Sequence, residues 1–122
     1  MLYSFKLPLI SDLGGIHSIV SIYVKENQFL ERGSRILDLK VDMNSSFLHN
    51  CPSINFYRLV VLEPLWLRKL FISSGDNVEE KLLMGIFSDD QFEDIGDYSI
   101  YKRDVKLSYA GIIHDVEWYD LD

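Results

Sequence analysis

The sequence predicts an all-β fold made of two similar halves, and three observations carry that expectation. First, Leu70 to Phe87 repeats Ile22 to Leu39 at a spacing of forty-eight residues. Ile22 matches Leu70, Tyr23 matches Phe71, Val24 matches Ile72, Leu30 matches Val78, Ile36 matches Met84 and Leu39 matches Phe87, and the turn pair Asn27-Gln28 falls on Gly75-Asp76. Second, short runs alternate apolar and polar residues between turn-forming clusters, the pattern of half-buried strands. Third, no long helical periodicity appears. A repeat within 122 residues indicates one pseudo-symmetric domain over 1–122. Residues 16–87 form its repeat-bearing core and 88–122 a C-terminal extension.

Leu2 to Leu7 reads as a short strand, with Pro8 confining it to an edge or an end. Ser11 to Gly15 is a turn closed by two glycines. Ile16 to Val24 is strand-like, with Val20, Ile22 and Val24 alternating against Ser21 and Tyr23. Lys25 to Gly33 is a polar connection carrying Phe29 and Leu30. In Ile36 to Val41, aliphatic Leu37, Leu39 and Val41 alternate with charged Asp38, Lys40 and Asp42. Asp42 to Ser53 has the composition of a loop. Ile54 to Leu62 is strongly β and stops at Glu63-Pro64; Leu65 to Ile72 is a further strand.

Ser73 to Asn77 is the second turn and Leu82 to Phe87 the strand that closes the repeat. A helix competes there: Asp76 and Glu79 have capping-box spacing, and Val78, Leu82 and Leu83 would share one face. The repeat favours a loop leading into a strand, because Gly33 and Ser34 stand where that helix would run. Asp89 to Asp97 is an acidic turn. Tyr98 to Lys102 and Lys106 to Ile113 read as a β-hairpin, followed by a short ending around Val116 to Tyr119.

The composition, 48% apolar and 25% charged, is that of an ordinary soluble protein. The 13% aromatic content suits strands and contact surfaces. Cys51 is the one cysteine, so no intrachain disulfide forms, which points to a reducing, cytoplasmic setting. Leu-Pro-Leu-Ile after Lys6 is too short for a secretory signal, and Arg58, Glu63 and Pro64 interrupt the longest apolar runs, so no membrane span is expected. From Asp89 to Asp122 ten acids face only Lys102, Arg103 and Lys106, which accounts for the whole net charge of −7. An acidic face repels nucleic acid and membrane surfaces and attracts basic proteins; it also serves solubility.

With its register set, the repeat resembles the biotinyl/lipoyl domain family. In that family each half has an aliphatic strand, a Gly-Asp turn, a hydrophobic residue two later, a glycine three further on and another strand. The second half here has Ile72, Gly75-Asp76, Val78 and Met84, with Lys81 in place of the later glycine. The first has Val24, Leu30, Gly33 and Ile36 to Leu39, with Asn27-Gln28 in place of Gly-Asp. The resemblance covers about Ile16 to Phe87. It implies a flattened barrel or sandwich of two antiparallel sheets related by a pseudo-twofold axis, to which the C-terminal hairpin is appended. It also implies a modified lysine at a hairpin tip after the strand Ile36 to Val41. The matching run is Asp42-Met43-Asn44, and methionine cannot form the amide that holds biotin or lipoate. Lys40 lies before the tip, and the segment from Asp42 to Gly75 is longer than the family pattern. No cofactor is therefore expected.

No catalytic constellation stands out. His17, His49 and His114 are far apart, and metal sites need converging ligands. His49-Asn50-Cys51 and His114-Asp115 are the local pairs, read as a loop with a small buried thiol and as a solvated strand end. No phosphate loop, dinucleotide turn or Cys-x-x-Cys is present. Asp89-Asp90 and Glu93-Asp94 lack the spacing of a calcium loop.

The partner-binding candidates are Asp97, Tyr98, Tyr101, Asp115, Glu117, Trp118, Tyr119 and Asp120, where aromatic anchors are interleaved with acids. Packing of the hairpin with its polar tips in water explains the same pattern. The expected function is non-catalytic binding of a protein with a basic surface. A narrower form is an acidic immunity or antitoxin-type inhibitor of a basic toxin such as a nuclease. An alternative is a prosthetic-group carrier domain of an enzyme complex.

Overall fold

In the computed structural model, which describes residues 1–8, 16–42, 54–96 and 103–112, the alternating runs become nine strands. These are β1 (Leu2–Lys6), β2 (Ile16–Ile22), β3 (Gln28–Leu30), β4 (Arg35–Asp42), β5 (Ile54–Val61), β6 (Leu65–Leu70), β7 (Asn77–Val78), β8 (Leu83–Ser88) and β9 (Leu107–Ile112). No helix occurs among the described residues. The strands form a four-stranded sheet in the order β1-β8-β6-β3 and a five-stranded sheet in the order β7-β2-β4-β5-β9, every pairing of named strands antiparallel. The two sheets stay separate, so the architecture is a sandwich and not a closed barrel.

Alternation decides what lies between the sheets. Phe5, Leu65, Leu67, Met84 and Phe87 from one sheet and Ile19, Leu37, Leu39, Leu59 and Val61 from the other form one buried cluster. Phe5 and Phe87 meet edge to face with ring centroids 5.6 Å apart.

The repeat is realised bond for bond. The Asn27 N–H donates to the Leu67 carbonyl at 2.6 Å, and the Gly75 N–H, forty-eight residues on, donates to that of Ile19 at 2.8 Å. Tyr23 bonds to Ile36 as Phe71 bonds to Met84, both at 2.9 Å. The bulge between Ile19 and Ser21 in β2 recurs between Leu67 and Lys69 in β6. The left-handed residues pair too: Asn27 (φ 67°) with Gly75 (φ 92°), and Gly33 (φ 87°) with Lys81 (φ 66°). Both departures from the glycine pattern thus keep the backbone that glycine would have had.

The repeat also extends beyond the stretch in which the sequence displayed it. Phe5 on β1 faces Gly85, as Leu59 on β5 faces Leu37. Strands β1–β4 therefore correspond to β5–β8, and each sheet takes two strands from each half.

The helix alternative over Asp76 to Met84 is not adopted. The Asp76 carboxylate accepts the N–H of Ser73 at 2.8 Å, upstream of itself, instead of capping a following turn. Asn77-Val78 forms β7, and Lys81 then turns the chain into β8. β3 and β7 occupy segments that read as polar connection and turn.

Residues 103–112 of the extension lie along equivalent edges of both sheets. Ser4 on β1 exchanges hydrogen bonds with Arg103 and Val105 at 2.8 and 2.9 Å through a parallel bridge. β9 then pairs along the length of β5, and Val105 and Leu107 join the core cluster. Among the described residues β5 is the partner of β9; the other arm of the expected hairpin, Tyr98 to Lys102, lies outside them.

Candidate functional site

All eight partner-binding candidates, Asp97, Tyr98, Tyr101, Asp115, Glu117, Trp118, Tyr119 and Asp120, lie outside the described residues, as do Met43, His49, Cys51 and His114. His17 is described and lies buried on β2 opposite Val41 and Val78, a core position. No group of three metal-ligating side chains occurs among the described residues. No helix among them is long and apolar enough to cross a membrane.

The described start of the acidic extension is an ordered turn. β8 ends at Ser88, whose hydroxyl donates to the Glu93 carboxylate at 2.8 Å and accepts the Asp90 N–H at 2.9 Å. Asp90 Oδ1 accepts the Phe92 N–H, and Asp94 Oδ1 accepts that of Gly96. The Met1 ammonium bonds to Asp89 at 2.6 Å and Glu93 at 2.7 Å, and these two bonds raise its pKa above the ordinary value. Arg68 donates to the Asp90 carbonyl. The acids around this turn are thus held by the backbone and an amino group. The Phe92 ring is left 86% exposed among Asp89, Asp90 and Asp94, which are themselves exposed.

A second cluster lies on the outer face of the five-stranded sheet, where the alternation pattern alone does not reveal it. Asp38 on β4 is 1% exposed although it points away from the core. Its oxygens accept Tyr23 Oη at 2.6 Å and the Arg58 guanidinium at 2.9 and 3.1 Å. Arg35 and Arg58 both stack on the Tyr23 ring, at 4.8 and 5.6 Å. Burial first, and then the bond to Asp38, pushes the Tyr23 phenol up; the Asp38 hydrogen bond holds Arg58 above its ordinary value. With both carboxylate oxygens engaged and the phenol proton directed at Asp38, the group clamps the segment that follows β2 to β4 and β5. The equivalent positions across the repeat are Phe71, Ile86 and Ser4, so no charged side chain stands at the same place in the other sheet. Comparing Asp38 with Ile86 across the repeat is the sequence signal that would have found the clamp.

No protein-family model matches the chain, and no match was found among curated proteins or solved structures. The functional reading therefore rests on the geometry.

Proposed function

We propose that the protein is a non-catalytic binding module that docks a basic protein through its acidic, aromatic C-terminal extension. The observation that carries this reading is Phe92, which stands exposed in a hydrogen-bonded turn whose neighbours in sequence include the exposed acids Asp89, Asp90 and Asp94. Large apolar anchors ringed by charge provide the contact energy of interfaces, and the charge accelerates encounter with an oppositely charged partner. In sequence, the same mixture of acids and aromatic residues continues with Asp97, Tyr98, Tyr101, Asp115, Glu117, Trp118, Tyr119 and Asp120, which the proposed contact includes. An immunity or antitoxin-type inhibitor is the narrower form, because a nuclease toxin presents a basic active site to such a face.

The twofold correspondence of β1–β4 with β5–β8 supports the biotinyl/lipoyl-like reading of the fold. A carrier role needs an attachment lysine that the Asp42-Met43-Asn44 run does not supply. Intact mass of protein from its own host tests that role: a biotinyl or lipoyl adduct establishes a carrier. For the binding role, the test is affinity capture from host lysate at low and moderate salt. Wild type is compared with Phe92→Ser and with combined charge reversal at Asp97, Glu117 and Asp120. The expected result is a basic protein, captured less at higher salt and lost with both variants. Retention of every captured protein by both variants overturns the reading.

A further inference from the structure

The internal symmetry identifies a place where one sheet is filled and the other hollow. Across the outer face of the four-stranded sheet runs a row of cross-strand neighbours, Phe29, Trp66, Ser88 and Leu2. The equivalent row on the five-stranded sheet is Asn77, Ser18, Lys40 and Phe56. In the first row the Phe29 and Trp66 rings pack against each other with centroids 5.2 Å apart. In the second, Asn77 and Ser18 stand in their places, joined by a 3.0 Å hydrogen bond from the Ser18 hydroxyl to Asn77 Oδ1. Two large rings are thus exchanged for two small polar side chains on the same backbone. The result is a hollow of about 530 Å³ lined by Ser18, Val20, Lys40, Phe56, Gly75 and Asn77 among others, within the range of small-molecule sites.

The lining specifies a chemistry. Val20 and Phe56 are apolar walls. Lys40 is half-buried at the centre of the row and forms no ion pair among the described residues. Its neighbour Asp38 on the same face is committed to Arg58 and Tyr23, while Asp42 follows on the other side. The Asn77 amide nitrogen has no partner among the described residues and remains a donor.

We propose that this hollow binds a small aromatic carboxylate. The ring takes the space that Trp66 and Phe29 fill in the other sheet, and the carboxylate meets the Lys40 ammonium with the Asn77 amide beside it. The site is separate from the acidic extension and does not depend on the protein-binding role.

The probe is indole-3-propionate, an indole with an anionic tail, compared with neutral 3-methylindole, each followed by ¹⁵N–¹H NMR titration of the full chain. The expected result is saturable binding with a dissociation constant on the order of 1 mM. Shifts centre on Ser18, Val20, Lys40, Gly75 and Asn77, and 3-methylindole binds about tenfold more weakly, as expected for one lost charge-assisted contact. Lys40→Met is expected to abolish the preference for the acid and Lys40→Arg to retain it. Ser18→Trp with Asn77→Phe, which copies the filled row, is expected to abolish binding of both probes. Non-saturating shifts, shifts centred elsewhere, equal binding of the two probes by wild type, or an unchanged preference in Lys40→Met would each overturn the assignment. The lysine variants keep it testable even if the filled variant does not fold.

Discussion

Exchange of Gly33 and Lys81 tests the symmetry energetically. The two residues are forty-eight apart and share a left-handed backbone, with φ of 87° and 66°. Each donates its N–H to a carbonyl of the neighbouring strand region, Gly33 to Val61 at 2.7 Å and Lys81 to Leu7 at 3.0 Å. A residue with a Cβ spends roughly 1–2 kcal/mol in this conformation. Glycine avoids that cost but loses about 0.4–1 kcal/mol through the greater freedom of its unfolded chain. Lys81→Gly should therefore stabilise by about 0.5–1 kcal/mol, and Gly33→Lys should destabilise by a similar ~0.5–1 kcal/mol. A Cβ at Gly33 meets nothing within 4 Å, so sterics add nothing to the second figure. For a chain of this length the expected shifts in Tm are about 2–4 °C, up for the first variant and down for the second. Urea denaturation should show midpoints moving in opposite directions at constant m, with near-cancellation in the double variant because the sites share no partner. Destabilisation by Lys81→Gly, or neutrality of Gly33→Lys, would refute the argument by showing that side-chain contacts and not the backbone set the balance.

Three further outcomes follow from the clamp and the sheet. Asp38→Asn should cost about 2–3 kcal/mol by urea denaturation, at or below the low end for breaking a buried ion pair because Arg58 is 30% exposed and recovers water; the triple variant Tyr23→Phe, Asp38→Ile, Arg58→Ser, copying the other sheet, should recover most of that loss. The raised Tyr23 pKa favours the neutral phenol in the folded state, so its contribution to stability is present below about pH 10 and is lost as pH rises through the folded value. Absorbance at 295 nm should show a phenolate step above pH 10 that Tyr23→Phe removes. Gly85→Ala should destabilise by about 1–3 kcal/mol in thermal unfolding, because a Cβ there would lie 2.6 Å from the Lys69 carbonyl oxygen.

Strand positions were legible because one face of each strand is buried, which imposes period-two alternation on Ile36 to Val41 and Ile54 to Leu62. The repeat was legible from Ile22 to Leu39 because a constant spacing of forty-eight links its apolar positions. It was not legible across β1 and β5, where Phe5 and Leu59 are fifty-four apart because the connections that follow the two strands differ in length. β3 and β7, with three and two residues, are too short for alternation to show. Asp38 was passed over for a different reason. An acid at an outward position is what a solvated strand face contains, and only folding brings Tyr23 and Arg58 over it. The hollow escaped notice likewise, because Ser18 and Asn77 look ordinary until Trp66 and Phe29 are set beside them.

The distribution of strands between the sheets also describes an assembly. Strands β1 and β3 of the first half clasp β8 and β6 of the second, while β5 and β7 of the second clasp β4 and β2 of the first. Two copies of a single four-strand unit would satisfy both ladders by exchanging strands, as a swapped homodimer does. The chain is then a dimer whose subunits are tethered between Asp42 and Ile54, and the tether supplies the effective concentration that makes pairing intramolecular. Cutting it would turn folding into a bimolecular reaction, with a melting temperature that rises with protein concentration.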